Sequence, residues 1–110
     1  MSDAEPKIVI SRYLDHAILK PELNQQEVRA AIELGIRHQV YTVCVKPPDI
    51  ALAVELCQGT ETAVSCVLAF PHGQALPDIK TSEAERYQDL GTSEIDMVVN
   101  YGLIRSADWT

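Results

Sequence analysis

Runs of β-branched and aromatic residues alternate with amphipathic stretches along this chain, and the alternation repeats at nearly even intervals. Residues 40–46, Val-Tyr-Thr-Val-Cys-Val-Lys, have the composition of a strand and stop at Pro47-Pro48, which no central strand continues through. Residues 62–69, Thr-Ala-Val-Ser-Cys-Val-Leu-Ala, form a second run, closed by Phe70-Pro-His-Gly73. Residues 94–100, Glu-Ile-Asp-Met-Val-Val-Asn, form a third, closed by Tyr101-Gly102, and residues 13–19 a weaker fourth, closed by Lys20-Pro21. Helical stretches lie between. Asn24 and Glu27 have the spacing of a capping box, after which Val28, Ala31, Ile32 and Ile36 share one helix face. Asp49 stands where it can cap the next helix, whose stripe is Ile50, Ala53, Val54 and Cys57, with Gly59 past its end. A third helix starts at Pro77-Asp78, carries Ala84, Tyr87 and Leu90 on its stripe and stops at Gly91.

The order is therefore β-α-β-α-β-α-β. Strand centres near His16, Val43, Cys66 and Met97 are 27, 23 and 31 residues apart, about one βα unit each. That rhythm calls for an α/β fold, a parallel sheet with helices packed on it. Periodicity leaves two closures open: a small doubly wound sheet, or an arc of a (β/α)8 barrel. No linker or low-complexity segment divides the chain, so residues 1–110 read as one domain, with residues 1–10 as an N-terminal extension or helix.

Composition narrows the function classes. The 110 residues are 46% hydrophobic, and 16 acids against 9 bases leave a net charge of −7. This balance argues against a nucleic-acid coat or a polybasic membrane anchor. The longest charge-free apolar run, residues 63–70, is far below the ~20 residues that span a bilayer. The first residues carry acids where a signal peptide has bases. A cytoplasmic protein with neither membrane nor nucleic acid as partner is expected. Cys44, Cys57 and Cys66 each sit in an apolar run without the close Cys or His pair of a zinc site, so no metal is expected.

Strands of a parallel sheet are buried on both faces, so a polar residue inside one needs a reason. Asp96 is the sharpest case. Strand alternation puts Ile95, Met97 and Val99 on one face and Asp96, Val98 and Asn100 on the other. Asp96 is either a carboxylate satisfied by a neighbouring strand or one that looks into a cleft. Asp15 is the second case. It shares no face with His16, which reads as a packed or surface imidazole rather than a base. Thr42, Cys44 and Lys46 share one face, with Lys46 at the carboxyl end of its strand, where ligands of α/β folds gather. Lys46 suits an anion or a carbonyl there, or else snorkels to solvent. In Phe70-Pro71-His72-Gly73, the glycine would let a backbone amide approach a ligand. No glycine-rich phosphate loop, nucleophile elbow or metal-binding histidine pair is present in the sequence.

Four of these segments together resemble the deoxyribose-phosphate aldolase family: Leu14-Asp-His-Ala-Ile-Leu-Lys-Pro21, Val43-Cys-Val-Lys-Pro47, Ala69-Phe-Pro-His-Gly73 and Glu94-Ile-Asp-Met-Val-Val-Asn100. They stand in family order and cover roughly residues 11 to 108. The resemblance implies a (β/α)8 barrel, of which this chain holds about the first four βα units. It implies reversible cleavage of 2-deoxy-D-ribose 5-phosphate to D-glyceraldehyde 3-phosphate and acetaldehyde, through a lysine Schiff base and without cofactor or metal. In such an aldolase a second lysine depresses the pKa of the first, and a carboxylate moves protons. Asp96 matches the proton-relay aspartate, Asp15 an aspartate near substrate, and Cys44 a thiol in the pocket wall. Lys46 and Phe70, at their strand ends, join Asp15 and Cys44 as expected pocket residues.

Two departures accompany the resemblance. Ala17 stands where the family often has a hydroxyl residue. The family's two catalytic lysines belong to its sixth and seventh strands, and none of Lys7, Lys20, Lys46 or Lys80 matches either. The chain ends at Thr110, where the helix after the fourth strand is expected to begin, near Ser106. The leading expectation is an N-terminal half of such an aldolase, inactive alone, with a small phosphorylated sugar as the family's substrate. The alternatives are a non-catalytic half-barrel that assembles with itself or a companion chain, and a compact doubly wound binding module. Homo-oligomerisation is a further expectation.

Overall fold

Four parallel strands run through the computed structural model, which describes residues 6–109, and their order across the sheet is their order in sequence. The strands are β1 (Asp15–Ile18), β2 (Thr42–Val45), β3 (Ala63–Leu68) and β4 (Glu94–Met97). Between them lie α1 (Gln25–Arg37), α2 (Ile50–Cys57) and α3 (Pro77–Leu90), and a short α4 (Tyr101–Arg105) follows β4. A doubly wound sheet reverses its strand order at a switch point. Here the order β1-β2-β3-β4 never reverses, so the sheet is a singly wound arc, the winding of a (β/α)8 barrel.

The two faces of the arc have opposite chemistry. Ile18, Val43, Val45, Val64, Cys66 and Leu68 point to one side and form the core with Val28 and Ile32 of α1, Ile50 and Ala53 of α2 and Tyr87 of α3. His16 follows the same alternation toward α1: a Cβ on Gly35 would lie 3.3 Å from its ring. The other face carries Asp15, Thr42, Cys44, Ser65 and Asp96. Among the described residues no helix covers that side, and the radius of gyration is 16.6 Å, against ~13 Å for a compact chain of this length.

Helix ends follow the sequence in two cases. Asn24 accepts from the Glu27 amide at 2.8 Å while Glu27 accepts from the Asn24 amide at 3.0 Å, completing the capping box. Pro77 opens α3 and Gly91, at φ +109°, ends it. Asp49 differs. Pro47–Asp49 form a 3-10 turn that leads straight into α2, and Asp49 makes no capping bond; its carboxylate faces Lys46 Nζ at 3.7 Å. The helix after β4 begins at Tyr101 and not near Ser106, because Asn100 leaves the strand and accepts from the Leu103 amide at 3.2 Å. β4 is consequently shorter than its apolar run. Of the N-terminal segment, residues 1–5 lie outside the described residues, residues 6–9 are irregular, and a 3-10 turn, Ile10–Tyr13, precedes β1. Among the described residues no helix is long and apolar enough to cross a membrane.

Candidate active site

Parallel register brings the polar side chains of the uncovered face into one cluster. Asp15 stands opposite Thr42, Cys44 opposite Ser65, and Val67 opposite Asp96. Thr42 Oγ1 donates to Asp15 Oδ1 at 2.5 Å, and Ser65 Oγ donates to the same oxygen at 2.8 Å. Cys44 Sγ donates to Asp96 Oδ2 at 3.5 Å. One donor atom from each of Asp15, Cys44 and Asp96 lies within 4.8 Å of the other two. Thr42 and Ser65 are fully buried beneath the two carboxylates, which open to solvent.

This spacing sets the electrostatics. Two carboxylates this close repel by about 1 kcal/mol in water and about 3 kcal/mol at an effective dielectric of ~20, so binding one proton between them is favoured. Asp96 is raised above its ordinary value by partial burial first and then by the charge on Asp15, with the thiol hydrogen bond from Cys44 opposing. Burial pushes the Cys44 thiol up to about 12; the Ser65 hydroxyl opposes this, and the charges on Asp15 and Asp96 add to it. Cys44 is thus a neutral thiol, a weak nucleophile but a serviceable donor and wall. The same three residues form the only grouping among the described residues with the spacing of a cation site. A thiol held so firmly protonated is a poor ligand, and the group suits proton traffic better.

Lys46 and Phe70 line a hollow of about 370 Å³ with Leu19, Pro21 and Val67, the last of which pairs in register with Asp96. The Lys46 ammonium donates to the Lys20 carbonyl at 2.8 Å and faces Asp49. Lys80 Nζ, on α3, donates to the Val98 carbonyl at 2.8 Å. No lysine is among the groups that act on Asp96 or Cys44. A larger groove of about 770 Å³ lies between α3 and β4, lined by Lys80, Ala84, Ile95 and Met97, and touches none of the clustered residues.

Gly73 has a different use from the ligand approach expected of it. It sits at φ +69°, and a Cβ there would lie 2.0 Å from the Val99 carbonyl oxygen. The glycine therefore admits the backbone leaving β4, three residues beyond Asp96. Ser65 is the site residue that sequence reasoning missed. Its signal was available, a hydroxyl inside an otherwise apolar parallel strand, the same exception that singled out Asp96.

No protein-family model matches the chain. A deoxyribose-phosphate aldolase from Streptococcus gordonii is 34% identical over 99 residues, 90% of this chain and 45% of that protein. Its namesake from Enterococcus faecalis is 35% identical over 100 residues, 91% of this chain and 46% of its own. This chain's relatives are deoxyribose-phosphate aldolases. A crystal structure from Coccidioides immitis assigned to the same aldolase superposes with a TM-score of 0.86 at 33% identity, over 94% of this chain and 42% of that one. The four-strand arc matches the first half of the (β/α)8 barrel in such aldolase structures. The chain spans a little under half the length of the aldolases it matches.

Proposed function

We propose that this chain is the proton-handling half of an aldolase that reversibly cleaves 2-deoxy-D-ribose 5-phosphate to D-glyceraldehyde 3-phosphate and acetaldehyde. The observation that carries the reading is the Asp15–Cys44–Asp96 cluster on the uncovered face of an arc whose relatives are deoxyribose-phosphate aldolases. In the cleavage direction the C3 hydroxyl loses its proton as the C2–C3 bond breaks. The bonding pair passes into an iminium formed with a lysine, giving an enamine whose C2 then takes up a proton. Asp96 is the residue of this chain suited to these transfers, since burial and the neighbouring Asp15 charge raise its carboxyl above the ordinary value and make it a better proton carrier. Asp15 and Cys44 line the substrate beside it, and Lys46 and Phe70 form the wall at the strand ends.

The Schiff-base lysine is assigned to the other half of the barrel, because no lysine is among the groups that act on Asp96 or Cys44. The 110-residue chain alone is accordingly expected to take no acetaldehyde adduct on borohydride reduction and to show no turnover. Mixed with a polypeptide supplying the second half, it should cleave the sugar phosphate, and Asp96→Asn should abolish that cleavage. An adduct on Lys20 or Lys46 together with turnover by the 110-residue chain would overturn the assignment. The unpaired outer edges of β1 and β4 support association with further polypeptide, including homo-oligomers. Sedimentation as a lone monomer at all concentrations would remove that part of the reading.

A further inference from the structure

Two fully buried hydroxyls, from two different strands, donate to one and the same carboxylate oxygen, and this asymmetry bears on where the shared proton resides. Asp15 Oδ1 accepts from Thr42 Oγ1 at 2.5 Å and from Ser65 Oγ at 2.8 Å, so both of its lone-pair directions are filled. Asp96 receives no hydroxyl; it takes the long, weak bond from the Cys44 thiol at 3.5 Å and meets the Asp15 carboxyl. Hydrogen bonds donated to a carboxylate favour its charged form, and two strong donors outweigh one thiol. We infer that Thr42 and Ser65 are positioning residues that hold Asp15 as the anion and thereby place the proton of the carboxyl pair on Asp96.

The other groups facing Asp96 are Asp15 from β1, Cys44 from β2 and Glu94 from its own strand. The charges on Asp15 and Glu94 favour the proton on Asp96 and the Cys44 thiol opposes it, so the two hydroxyls act by keeping Asp15 charged. β3 contributes the non-titrating Ser65 and Val67 on this face, with Cys66 directed to the core on the other. A merely structural account of the two hydroxyls, as buried groups seeking any acceptor, leaves unexplained why both choose one oxygen. Ser65 also has the Val43 carbonyl as a second acceptor, at 3.5 Å. The step gains its meaning for catalysis from the aldolase reading, yet its test uses no turnover, so the two can fail separately.

The experiment is a carbon-detected NMR titration of the aspartate carboxyls in the 110-residue chain, with amide spectra to verify the fold of each variant. In the unaltered chain Asp96 should take up its proton at a higher pH than an ordinary aspartate. In Thr42→Val/Ser65→Ala the proton is shared more evenly, and the Asp96 midpoint should fall. The hydroxyl-retaining Thr42→Ser should leave it where it was. Asp15→Asn, which removes the competing charge, should lower it as well. If the double variant loses its fold, Ser65→Ala and Thr42→Val singly give the same reading. An Asp96 midpoint that stays or rises when the hydroxyls are removed would overturn the inference. So would one that ignores Asp15→Asn.

Discussion

Replacing Gly73 by alanine tests how the chain holds β4, and with it Asp96, against the rest of the arc. The new methyl would meet the Val99 carbonyl oxygen at 2.0 Å and its carbon at 2.7 Å, with the Val98 carbonyl oxygen at 3.0 Å. Ordinary carbon–oxygen contacts begin near ~3.3 Å, so the overlap exceeds 1 Å, and it is with backbone that cannot rotate aside. The left-handed backbone adds about 1–2 kcal/mol for any residue with a Cβ. Overpacking of this kind adds about 1–3 kcal/mol more. Gly59 separates the two contributions, because it has nearly the same conformation, φ +74°, and nothing within 4 Å of its Cβ position. Gly59→Ala should therefore cost about 1–2 kcal/mol and Gly73→Ala about 2–5 kcal/mol. Gly91→Ala should fall between, since its Cβ would meet Val54 methyls at 3.2 and 3.3 Å, and side chains can shift. Urea unfolding followed by circular dichroism reads all three as midpoint changes at constant slope. The strand exit is also tied by the Val98 amide to the Leu68 carbonyl at 3.1 Å and by Lys80 to Val98. Displacing it should disturb the Cys44–Asp96 bond, visible as a changed Asp96 titration. Equal losses for Gly73→Ala and Gly59→Ala would refute the close-approach reasoning.

Two further predictions concern the rest of the fold. The Arg12 guanidinium donates to the carbonyls of Gln39, Val40 and Glu61, each at 3.0 Å, tying the turn before β1 to the approaches of β2 and β3. Arg12→Ala should lower stability by about 2–3 kcal/mol in urea titrations, and Arg12→Lys should recover little, since an ammonium cannot span the three acceptors; full recovery by lysine would contradict this. Burial raises Cys44 from 9.0 to about 12 and Cys66 from 9.0 to about 11. The folded state therefore keeps protons that the unfolded state sheds, so the thiols' contribution is fully present below pH ~9 and is lost as pH rises through ~11 to ~12. Stability should fall with a slope of up to about 1.4 kcal/mol per pH unit for each thiol, and Cys66→Ala should flatten that slope in urea midpoints taken between pH ~8 and ~10.5. An unchanged slope in that variant would count against the burial argument.

What the sequence made legible was governed by alternation. The number of βα units follows from the spacing of four apolar runs, and the side of β4 that carries Asp96 follows from period two. Neighbour relations did not follow, because periodicity counts units without saying which strand lies beside which; only the unreversed order excludes the doubly wound sheet. Asp49 shows a local failure with a physical cause. Two consecutive prolines before it set their own dihedrals and draw it into a 3-10 turn, so its side chain is turned to Lys46 instead of to the helix amides. Gly73 was recognisable as a point of close approach, but not what approaches, since the partner, Val99, lies 26 residues further along. Lys46 and Phe70 were grouped with Asp15 and Cys44 by sharing strand ends; the structure places them along a hollow that includes Val67, the register partner of Asp96.

Adjacent residues of β2 show why stability and chemistry can be probed separately in this arc. Val43 and Val45 face the helices with no exposed surface, and any change in their volume is felt by α1 and α2. Thr42 and Cys44 are equally buried, yet their neighbours are a carboxylate oxygen each. Thr42→Val keeps the shape and removes only the donor, so its packing cost is small while Asp15 loses its shortest hydrogen bond. Val43→Ala does the reverse: it opens a cavity on the helix side and leaves every hydrogen bond of the carboxyl cluster in place. If Thr42→Val shifted the Asp96 titration no more than Val43→Ala did, the uncovered face would owe its proton to general burial. If it alone shifts it, the bias comes from two hydroxyls and one shared oxygen.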